Sequence, residues 1–424
     1  MLDVTSTSAQ SGGTVTSVGS SAVTANGVCY SDSNQKPTTA DSKTTDPVIS
    51  TSYTYISNIT GLTPGTTYYL RAYVTNAYGT GYGSVVKFTT PSTLSALVGA
   101  VTTFAGNQTA GYADGSGMGA QFSGPSGVAV DAQGNIYISD TFNNRIRKIT
   151  PDGTVTTIAG NGTPGYADGN AADAEFYGPE GLAVDAQGNV FVADFGNNLI
   201  REISTSGVVS TFSGVGTAGH VDGAANVAEF NGPYGITFDK SGNLIVADEN
   251  NNMIRMVTPA GVASTVAGTT VAGYINATNN AKNGVYAFFR HPTGVAVDPS
   301  NGNIYVADNG NSAIRQITTA NVVTTIAGGT AQSSLVGYPT GITIDQSGDM
   351  FISDQSGRII ELTASRTLYD LAGNSGTNGY ADGSGTAVQF NTPLGIAIDA
   401  QGNIYIADFN NNMIRKLVID TTNG

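Results

Sequence analysis

The feature that most constrains this chain is a unit that occurs six times along most of its length. Each copy begins with Pro, a variable residue and Gly, continues through an apolar run to Asp, and ends in an Ile-Arg or related segment, as in GPSGVAVDAQGNIYISDTFNNRIRKIT. The Gly recurs at Gly127, Gly181, Gly235, Gly294, Gly341 and Gly395. Such regular self-similarity predicts a modular fold in which each unit buries its faces only against its neighbours.

Each copy predicts four short antiparallel strands. The runs GVAVD, IYISD and RIRKIT are separated by the turns AQGN and TFNN, and a fourth run, VTTIAG, follows a Gly-containing turn. Four strands in a unit of this length are typical of one blade of a β-propeller. The 56 glycines and the 11% of charged residues also favour an all-β chain with many tight turns.

The order of the runs predicts how the ring closes. The fourth run is missing after the sixth copy, whereas an additional copy, VTTFAG, precedes the first at residues 101–106. We expect this strand to pair with the last blade, residues 394–419, and to close a six-bladed propeller over residues 101–420. Such closure would remove the open edge that an unclosed array would leave.

The repeated units resemble NHL repeats in their Pro-x-Gly, Gly-Asn-apolar and Ala-Asp-x-x-Asn-Asn-x-Ile-Arg segments. The resemblance covers about residues 97–420 and implies a six-bladed propeller of the NHL type. It leaves the function open, because the family includes enzymes, RNA binders and structural modules.

The N-terminal region has a different pattern. Its segment Leu62-x-Pro64-Gly65-Thr66-x-Tyr68 resembles the tyrosine corner of fibronectin type III domains. We expect residues 1–91 to form a small fibronectin type III-like or immunoglobulin-like β-sandwich, starting at or inside its second strand, and residues 92–100 to form a linker. The domain pairing is similar to that of bacterial secreted and surface proteins. A strand donated by a second copy would complete such a sandwich, which predicts self-association as one alternative.

Composition disfavours several classes of partner. The chain has 31 acidic and 17 basic residues, and the acidic excess lies entirely after residue 91, so nucleic acid and anionic membranes are disfavoured. No apolar run approaches the roughly 18 residues of a membrane span. One cysteine, Cys29, and two histidines, His220 and His291, disfavour a disulfide framework and a His-rich metal site. We expect a secreted or cell-surface protein whose signal sequence is absent from this chain.

Residues that recur in every unit are interpreted as structural. An Asp ends the second strand and an Arg lies on the third, where the two could form a charge-assisted bond across the hairpin. The pairs are Asp140 and Arg147, Asp194 and Arg201, Asp248 and Arg255, Asp308 and Arg315, and Asp408 and Arg415. The fifth unit has Ile360 where Arg is expected, which predicts a less stable blade or one open to a partner.

Positions that vary between units are the candidates for ligand binding. The residues between Pro and Gly are expected beside the mouth of the central channel: Ser126, Glu180, Tyr234, Thr293, Thr340 and Leu394. The turns between the second and third strands carry Phe142, Phe195 and Phe409, on three neighbouring blades. They predict one apolar ledge near Glu180 and Leu394 that could bind sugars or peptide side chains. Alternatively, each Phe simply covers the adjacent blade.

The acidic loops leave calcium open as a cofactor. An Asp precedes a few helix-compatible residues in four units, as an N-cap would, at Asp114, Asp168, Asp222 and Asp382. Each loop offers few carboxylates for calcium. The neighbouring Tyr112, Tyr166, His220, Tyr274 and Tyr380 are expected to pack over these loops. No other cofactor, no metal site and no catalytic residue is predicted.

The leading functional hypothesis is a non-enzymatic extracellular module that binds a glycan or protein partner through the channel mouth. One alternative is a structural, filament or adhesin subunit assembled by strand donation. The resemblance also implies an enzyme alternative, because related propellers include amidating lyases and lactonases with a channel metal. Two scattered histidines cannot supply the zinc site of such a lyase, and Glu180 is the one acid among the six variable positions.

Overall fold

The computed structural model describes residues 4, 7–17, 21–48, 53–63, 65–90, 98–277, 286–329 and 336–419. Within these ranges the chain is all-β apart from short 3-10 turns, and no helix is long and apolar enough to cross a membrane. The described residues divide into two compact units. One contains the residues up to 90 together with Ser365–Tyr369, and the other contains residues 98–364 and 370–419.

The N-terminal unit consists of short strands in two sheets. Its strands, within the described residues, are β1 (Ser8–Val15), β2 (Val23–Ser31), β3 (Ser42–Lys43), β4 (Tyr53–Thr60), β5 (Thr67–Asn76), β6 (Gly79–Tyr82) and β7 (Val86–Thr89). One sheet pairs β1 with β4, and the other has the order β3-β2-β5-β6, with β7 also paired to β5. Side chains from both sheets share one core, which includes Ala9 and Ile59 on one side and Val28 and Leu70 on the other.

A buried tyrosine ties a turn of this unit to the strand that follows it. The Tyr68 hydroxyl accepts a hydrogen bond from the Thr63 backbone N–H at 2.9 Å, and its ring stacks on Phe88. A turn tied in this way is what the resemblance to a tyrosine corner implies for Tyr68. Pro64 and most of the predicted linker, at residues 92–97, lie outside the described residues.

The second unit begins with β8 (Gly99–Gly106) and continues as sheets 1 to 6, one for each sequence copy, within the described residues. Sheet 1 contains β9 (Gly115–Ser116), β10 (Pro125–Val130), β11 (Ile136–Asp140), β12 (Arg145–Ile149) and β13 (Thr154–Ala159). Sheet 2 contains β14 (Gly169–Asn170), β15 (Pro179–Val184), β16 (Val190–Asp194), β17 (Leu199–Ile203) and β18 (Val208–Ser213). Sheet 3 contains β19 (Pro233–Phe238), β20 (Leu244–Asp248), β21 (Met253–Val257) and β22 (Ala263–Gly268).

The remaining sheets repeat this plan. Sheet 4 contains β23 (Pro292–Val297), β24 (Ile304–Asp308), β25 (Ala313–Ile317) and β26 (Val323–Gly328). Sheet 5 contains β27 (Pro339–Ile344), β28 (Met350–Asp354), β29 (Arg358–Leu362) and β30 (Leu368–Gly373). Sheet 6 contains β31 (Gly383–Ser384), β32 (Pro393–Ile398), β33 (Ile404–Asp408), β34 (Met413–Ile419) and β8. The described 3-10 turns are Gly117–Gly119, Thr141–Asn143, Phe195–Asn197, Glu249–Asn251, Asn309–Asn311 and Phe409–Asn411.

The strand that starts at Pro is the inner strand of each sheet, because it contacts the inner strands of the two neighbouring sheets. The recurrent Gly permits this approach. A Cβ placed on Gly127 would overlap the carbonyl oxygen of Glu180 in sheet 2, and the same overlap recurs from sheet to sheet around the set. The absence of a side chain at this position therefore lets six backbones converge, which a larger residue would prevent.

Sheet 6 contacts sheet 1 as closely as any other pair. β8 pairs with β34, with Val101 opposite Leu417 and Ala105 opposite Ile414, so the strand before the first copy completes the last sheet. This strand begins at Gly99, two residues before the predicted start. The side-chain oxygen of Asn412 accepts the Gly124 N–H at 3.0 Å across the same junction.

The cores of the second unit lie between neighbouring sheets. One cluster combines Ile136 and Ile138 of sheet 1 with Tyr405 and Ile414 of sheet 6. A phenylalanine in the loop before each of five inner strands is fully buried in such a cluster: Phe122, Phe176, Phe230, Phe289 and Phe390. A single sheet could not bury these side chains, since each contributes about 1.5–3 kcal/mol only when both of its sides are covered.

Candidate functional site

The recurrent Asp and Arg residues form a buried network in the second unit. In sheet 1, Arg147 Nη1 lies 2.6 Å from Asp140 Oδ2, and its Nη2 lies 2.7 Å from Asp114 Oδ1. The same two-carboxylate arrangement surrounds Arg201, Arg255 and Arg415. In sheet 4, Arg315 binds Asp308 and the side-chain oxygen of Asn276. These arginines are fully buried and tie the strands of a sheet to the loop that precedes them.

The acidic loop residue Asp114 binds an arginine and a threonine and does not cap a helical turn. Asp114 was expected to cap a helical turn, but the described turn at Gly117–Gly119 has no side-chain cap. Instead, Asp114 accepts hydrogen bonds from Arg147 and from the Thr157 backbone and hydroxyl. Arginine and threonine donors therefore already occupy carboxylate oxygens that a calcium ion would need.

Sheet 5 keeps an ion pair although Ile360 replaces the expected arginine. Arg358, two residues earlier on the same strand, binds Asp354 at 3.0 Å and Asp370 at 3.0 Å. The buried Asp of the second strand is therefore paired in this sheet as well. That this sheet is less stable or open to a partner, as Ile360 suggests, stays a prediction.

The variable residues of the inner strands surround one end of the channel, which we call the mouth. Five of the six line a small cavity of about 60 Å³: Ser126, Tyr234, Thr293, Thr340 and Leu394. Glu180 lies beside this cavity, where the Ser126 hydroxyl donates a hydrogen bond to its carboxyl group. Tyr234 also interacts with Glu180. Residues from sheets 1, 2 and 3 thus meet at one carboxyl group.

Glu180 has a strongly perturbed ionisation. The pKa of Glu180 is raised from 4.5 to about 8, mainly by burial and also by the charge of Glu249, while the interactions with Ser126 and Tyr234 oppose the shift. Burial and the Glu180 charge also raise the pKa of Tyr234. A carboxyl group in such surroundings is a functional-site candidate on physical grounds.

Two residues at the mouth were not singled out from the sequence. Glu249 occupies the position after the recurrent Asp, the position of Phe195 and Phe409, and its Oε1 lies 3.4 Å from His291 Nδ1. His291 precedes Pro292 and has a φ of 47°, a conformation that Gly adopts at the equivalent Gly124, Gly178 and Gly232. Aligning the six copies would have singled out both positions, since the residue after the recurrent Asp and the residue before the Pro vary between copies.

The aromatic residues near the mouth take part in two separate ring contacts. Phe142 packs edge-on against Phe409 with ring centroids 5.2 Å apart, and Phe195 packs edge-on against Tyr234 at 6.2 Å. Phe142 lies one position later in its turn than the other two, where it is 66% exposed. Thr141 takes the earlier position and donates a hydrogen bond to the Pro179 carbonyl at 2.8 Å.

The glycines before the inner strands of sheets 1, 2 and 3 differ in their surroundings. Gly124 lies close to Phe142 and Phe409, and Gly232 lies close to Phe195. By contrast, a Cβ on Gly178 would meet no described atom within 4 Å.

The tyrosines of the outer loops are exposed to solvent, and the expectation that they pack over their loops stays a prediction. Tyr166 is 72% exposed and Tyr112 is 60% exposed, although the Arg145 guanidinium lies 4.3 Å from the Tyr112 ring centre. Within the described residues, no group of three or more His, Cys, Asp or Glu side chains is arranged to hold a metal ion.

A Glu180→Gln variant tests the ionisation of the mouth. Because the folded-state pKa is raised, the unfolded chain loses the proton first, and the wild type loses stability as the pH rises from about 4.5 to 8. We expect the variant to match the wild type at pH 4 and to be about 2 kcal/mol more stable at pH 9, less than the full shift implies because the side chain keeps some solvent contact. Urea denaturation at both values measures this. An equal difference at both pH values, or the same gain for the exposed Asp173→Asn control, would contradict the assignment.

Comparison with known families identifies repeated segments in the second unit. The NHL repeat family matches residues 122–149, 176–203, 289–317 and 390–417. Each match ends with the third strand of its sheet, in sheets 1, 2, 4 and 6. The matched segments therefore contain the recurrent Asp and Arg pairs.

Similar sequences occur in longer proteins. The chloroplastic protein SUPPRESSOR OF QUENCHING 1 of Arabidopsis thaliana is 28% identical over 321 residues, covering 69% of this chain and 30% of the relative. NHL repeat-containing protein 2 of Bos taurus is 26% identical over 344 residues, covering 70% of this chain and 47% of the relative. The chain thus spans less than half the length of these relatives.

Solved structures share the fold at low identity. A protein of unknown function from Bacteroides thetaiotaomicron gives a TM-score of 0.58 with 16% identity, covering 96% of this chain and 100% of that one. An auxiliary nutrient binding protein from the same organism gives 0.56 with 15% identity, covering 98% and 94%. A gluconolactonase from Xanthomonas campestris gives 0.51 with 16% identity, covering 76% and 90%. At these identities the likeness concerns the fold alone.

Proposed function

We propose, from the premise that this chain carries NHL repeats of the propeller type, that it is an extracellular or cell-surface binding module. Sheets 1 to 6 act as the blades of one six-bladed propeller closed by β8, and the mouth receives a glycan or protein partner. The observation that carries the proposal is the convergence of two aromatic contacts and the Glu180 carboxyl group on one face. Aromatic surfaces next to a few directed polar groups are typical of binding sites.

The N-terminal unit acts in this proposal as a fibronectin type III-like spacer or anchor. Its two sheets, their shared core and the Tyr68 contact support that reading. The smaller sheet contains β1 and β4 among the described residues, which also supports strand donation between copies as a second role. Light scattering over a range of concentrations tests that role, and a strictly monomeric chain would contradict it.

A binding screen with matched variants tests the mouth. Purified protein is screened against glycan and peptide libraries, and hits are measured by calorimetry with the Phe142→Ala/Phe409→Ala and Phe195→Ala variants. We expect each variant to weaken binding at least tenfold, because removing one ring costs about 1–3 kcal/mol of contact and stacking.

The exposed Tyr78→Ala variant is the control, since Tyr78 is 82% exposed and belongs to the N-terminal unit. Unchanged affinity in both mouth variants would overturn the proposal, as would an equal loss in the control. A panel of lactones and esters run on the same samples tests the enzyme alternative. Turnover that disappears in Glu180→Gln would replace the binding role with a hydrolytic one.

A further inference from the structure

Sheet 5 departs from the other sheets at the turn between its first and second strands. In the other five, an Asp that follows the inner strand accepts a hydrogen bond from an Asn side chain of the same turn. In sheet 1, Asn135 Nδ2 lies 2.7 Å from Asp131 Oδ2. Sheet 5 keeps the Asp as Asp345 but has Asp349 where sheet 1 has Asn135. A carboxyl group therefore replaces the amide donor in this turn.

The backbone holds the two carboxyl groups of this turn next to each other. The Asp349 N–H donates to Asp345 Oδ1 at 2.9 Å, and the equivalent distance in sheet 1 is 2.8 Å. The Ala364 N–H donates to Asp349 Oδ1 at 2.7 Å. Among the described residues, neither Oδ2 atom receives a donor. This pair of carboxyl groups thus lacks the side-chain donor that sheet 1 provides.

Two further polar partners of sheet 1 are also replaced in sheet 5. The Tyr137 hydroxyl donates to Asp131 Oδ2 at 3.0 Å, and Lys148 lies opposite Tyr137 with its Nζ 5.6 Å from the ring centre. Sheet 6 repeats this arrangement. In sheet 5 the two opposite residues are Phe351 and Glu361. Sheet 5 therefore lacks the hydroxyl and the ammonium group and has a third carboxyl group instead.

Glu361 is buried without a polar partner for one of its oxygens. It is 3% exposed, and no hydrogen-bond donor reaches its Oε2 within the part of the chain that the structure describes. Burial is the main cause that raises the pKa of Glu361 to about 7, and the charges of Asp349 and Asp345 raise it as well. A buried polar group left in this way is unfavourable unless a ligand satisfies it.

The register of the sheet brings Glu361 to the side of the two aspartates. Glu361 lies directly opposite Phe351, and Asp349 precedes Phe351 by two residues, so the three side chains leave the same face. In sheet 2, the equivalent Glu202 and Asp185 line one cavity. The turn and Glu361 therefore border the same space.

An ion has access to this turn. Asp345 and Ser347 line a cavity of about 440 Å³ between the turns of sheets 5 and 6. Asp399 lines its other side, where its Oδ2 already accepts hydrogen bonds from Asn403 at 2.7 Å and Tyr405 at 3.3 Å. Asp399 therefore adds negative charge to the cavity, while the described oxygens that still lack donors belong to sheet 5.

We propose that this turn binds a hard divalent cation, Ca²⁺ or Mg²⁺, through the carboxyl groups of Asp345 and Asp349, with Glu361 as a third negative charge beside it. Such ions prefer carboxylate oxygens and complete their coordination with water. Because no three acidic side chains of the described residues already surround a metal position, the two aspartates are the direct ligands and water supplies the remainder. The inference goes beyond the proposed function, since Asp345 follows the end of the inner strand whereas Thr340 of the mouth lies at its start.

Calorimetric titration of the metal-stripped full chain with CaCl₂ and MgCl₂ tests the inference. The titration is run at about 0.15 M NaCl, which screens the general attraction of an acidic surface for cations. We expect one Ca²⁺ site with a Kd of about 10⁻⁴–10⁻³ M, the range of extracellular calcium modules, and a melting temperature that rises with calcium concentration. Mg²⁺ that binds at least tenfold more weakly identifies Ca²⁺ as the ion, and equal affinities identify a site for either ion.

An Asp349→Asn variant gives a result that a merely structural role cannot produce. It restores the amide found in sheet 1, so the metal-free variant should melt at a higher temperature than the metal-free wild type. The same variant should bind Ca²⁺ at least tenfold more weakly, because it removes one of two charged ligands. Glu361→Gln should weaken binding at least threefold at about pH 8, where most of Glu361 is ionised. Glu202→Gln, at the equivalent position of sheet 2, should leave it unchanged.

The inference is overturned if neither ion binds or raises the melting temperature. Equal Ca²⁺ affinity in the wild type and in Asp349→Asn would also overturn it, as would an equal loss of affinity in Glu202→Gln and Glu361→Gln. None of these outcomes bears on the mouth, which is tested separately by its phenylalanine variants.

Discussion

An Arg255→Met variant is expected to lose about 3–5 kcal/mol of unfolding free energy, the cost typical of removing one partner from a buried ion pair. Arg255 is fully buried, with Nη1 2.9 Å from Asp248 and Nη2 2.7 Å from Asp222. It also donates to the carbonyls of Glu229 and Val221. Met fills a similar volume but leaves the Asp248 carboxylate without its cation and removes the arginine donor from the Glu229 carbonyl, whereas the Val221 carbonyl keeps the Glu229 N–H as a donor. Urea denaturation followed by far-ultraviolet circular dichroism measures the loss.

The matched control is Arg145→Met in sheet 1. Arg145 is only partly buried and donates to the backbone carbonyls of Asn143 and Asn161, so the same substitution should cost about 1 kcal/mol or less. The loss of unfolding free energy in Arg255→Lys should lie between those of the two methionine variants. A lysine keeps the charge but lacks the fork geometry with which a guanidinium reaches both carboxylates. A loss below 1 kcal/mol for Arg255→Met would show that the network does not contribute to stability.

The strand pattern of the second unit could be read from the sequence because its determinants are local. Alternating apolar runs and Asn- or Gly-containing turns set each hairpin, and a five-residue strand on either side of the turn brings Asp140 and Arg147 to the same region of the sheet. What the sequence could not supply is the second carboxylate on the same arginine. Asp114 lies 33 residues before Arg147, and its position depends on how the preceding loop folds over the sheet.

The candidate site was predicted less completely, for a related reason. Ser126, Glu180 and Tyr234 were identified because they vary at one repeated position, and they meet at the mouth. Glu249 and His291 vary at two other repeated positions, and their contact joins the turn of sheet 3 to the residue before the inner strand of sheet 4. The sequence argument for one aromatic ledge treated the three phenylalanines as equivalent, although Phe142 is displaced by one residue from the position of Phe195 and Phe409.

A Gly395→Ala variant is expected to lose about 3 kcal/mol, at the upper end of the 1–3 kcal/mol typical of overpacked sites. The added Cβ would overlap the Ser126 carbonyl oxygen and lie 2.9 Å from the Val128 nitrogen, and both are backbone atoms of the neighbouring inner strand. Backbone cannot rotate away as a side-chain end can, so sheets 6 and 1 must move apart. Denaturation of the variant, compared with the wild type, measures the cost of opening this junction.

Two further glycine variants serve as a control and as a comparison. Gly119→Ala is the neutral control, because its Cβ would meet no described atom within 4 Å and its φ is not in the left-handed region. Gly235→Ala tests an internal junction, where the Cβ would overlap the Thr293 carbonyl oxygen in the same way. A closed ring requires equal losses at Gly395 and Gly235, since the junction between the last and first sheets is then as tight as any other. A loss of stability at Gly395 no larger than at Gly119 would mean that this junction opens in solution. The alignment of Ser126 against Glu180, on which the proposed binding site depends, would then be lost as well.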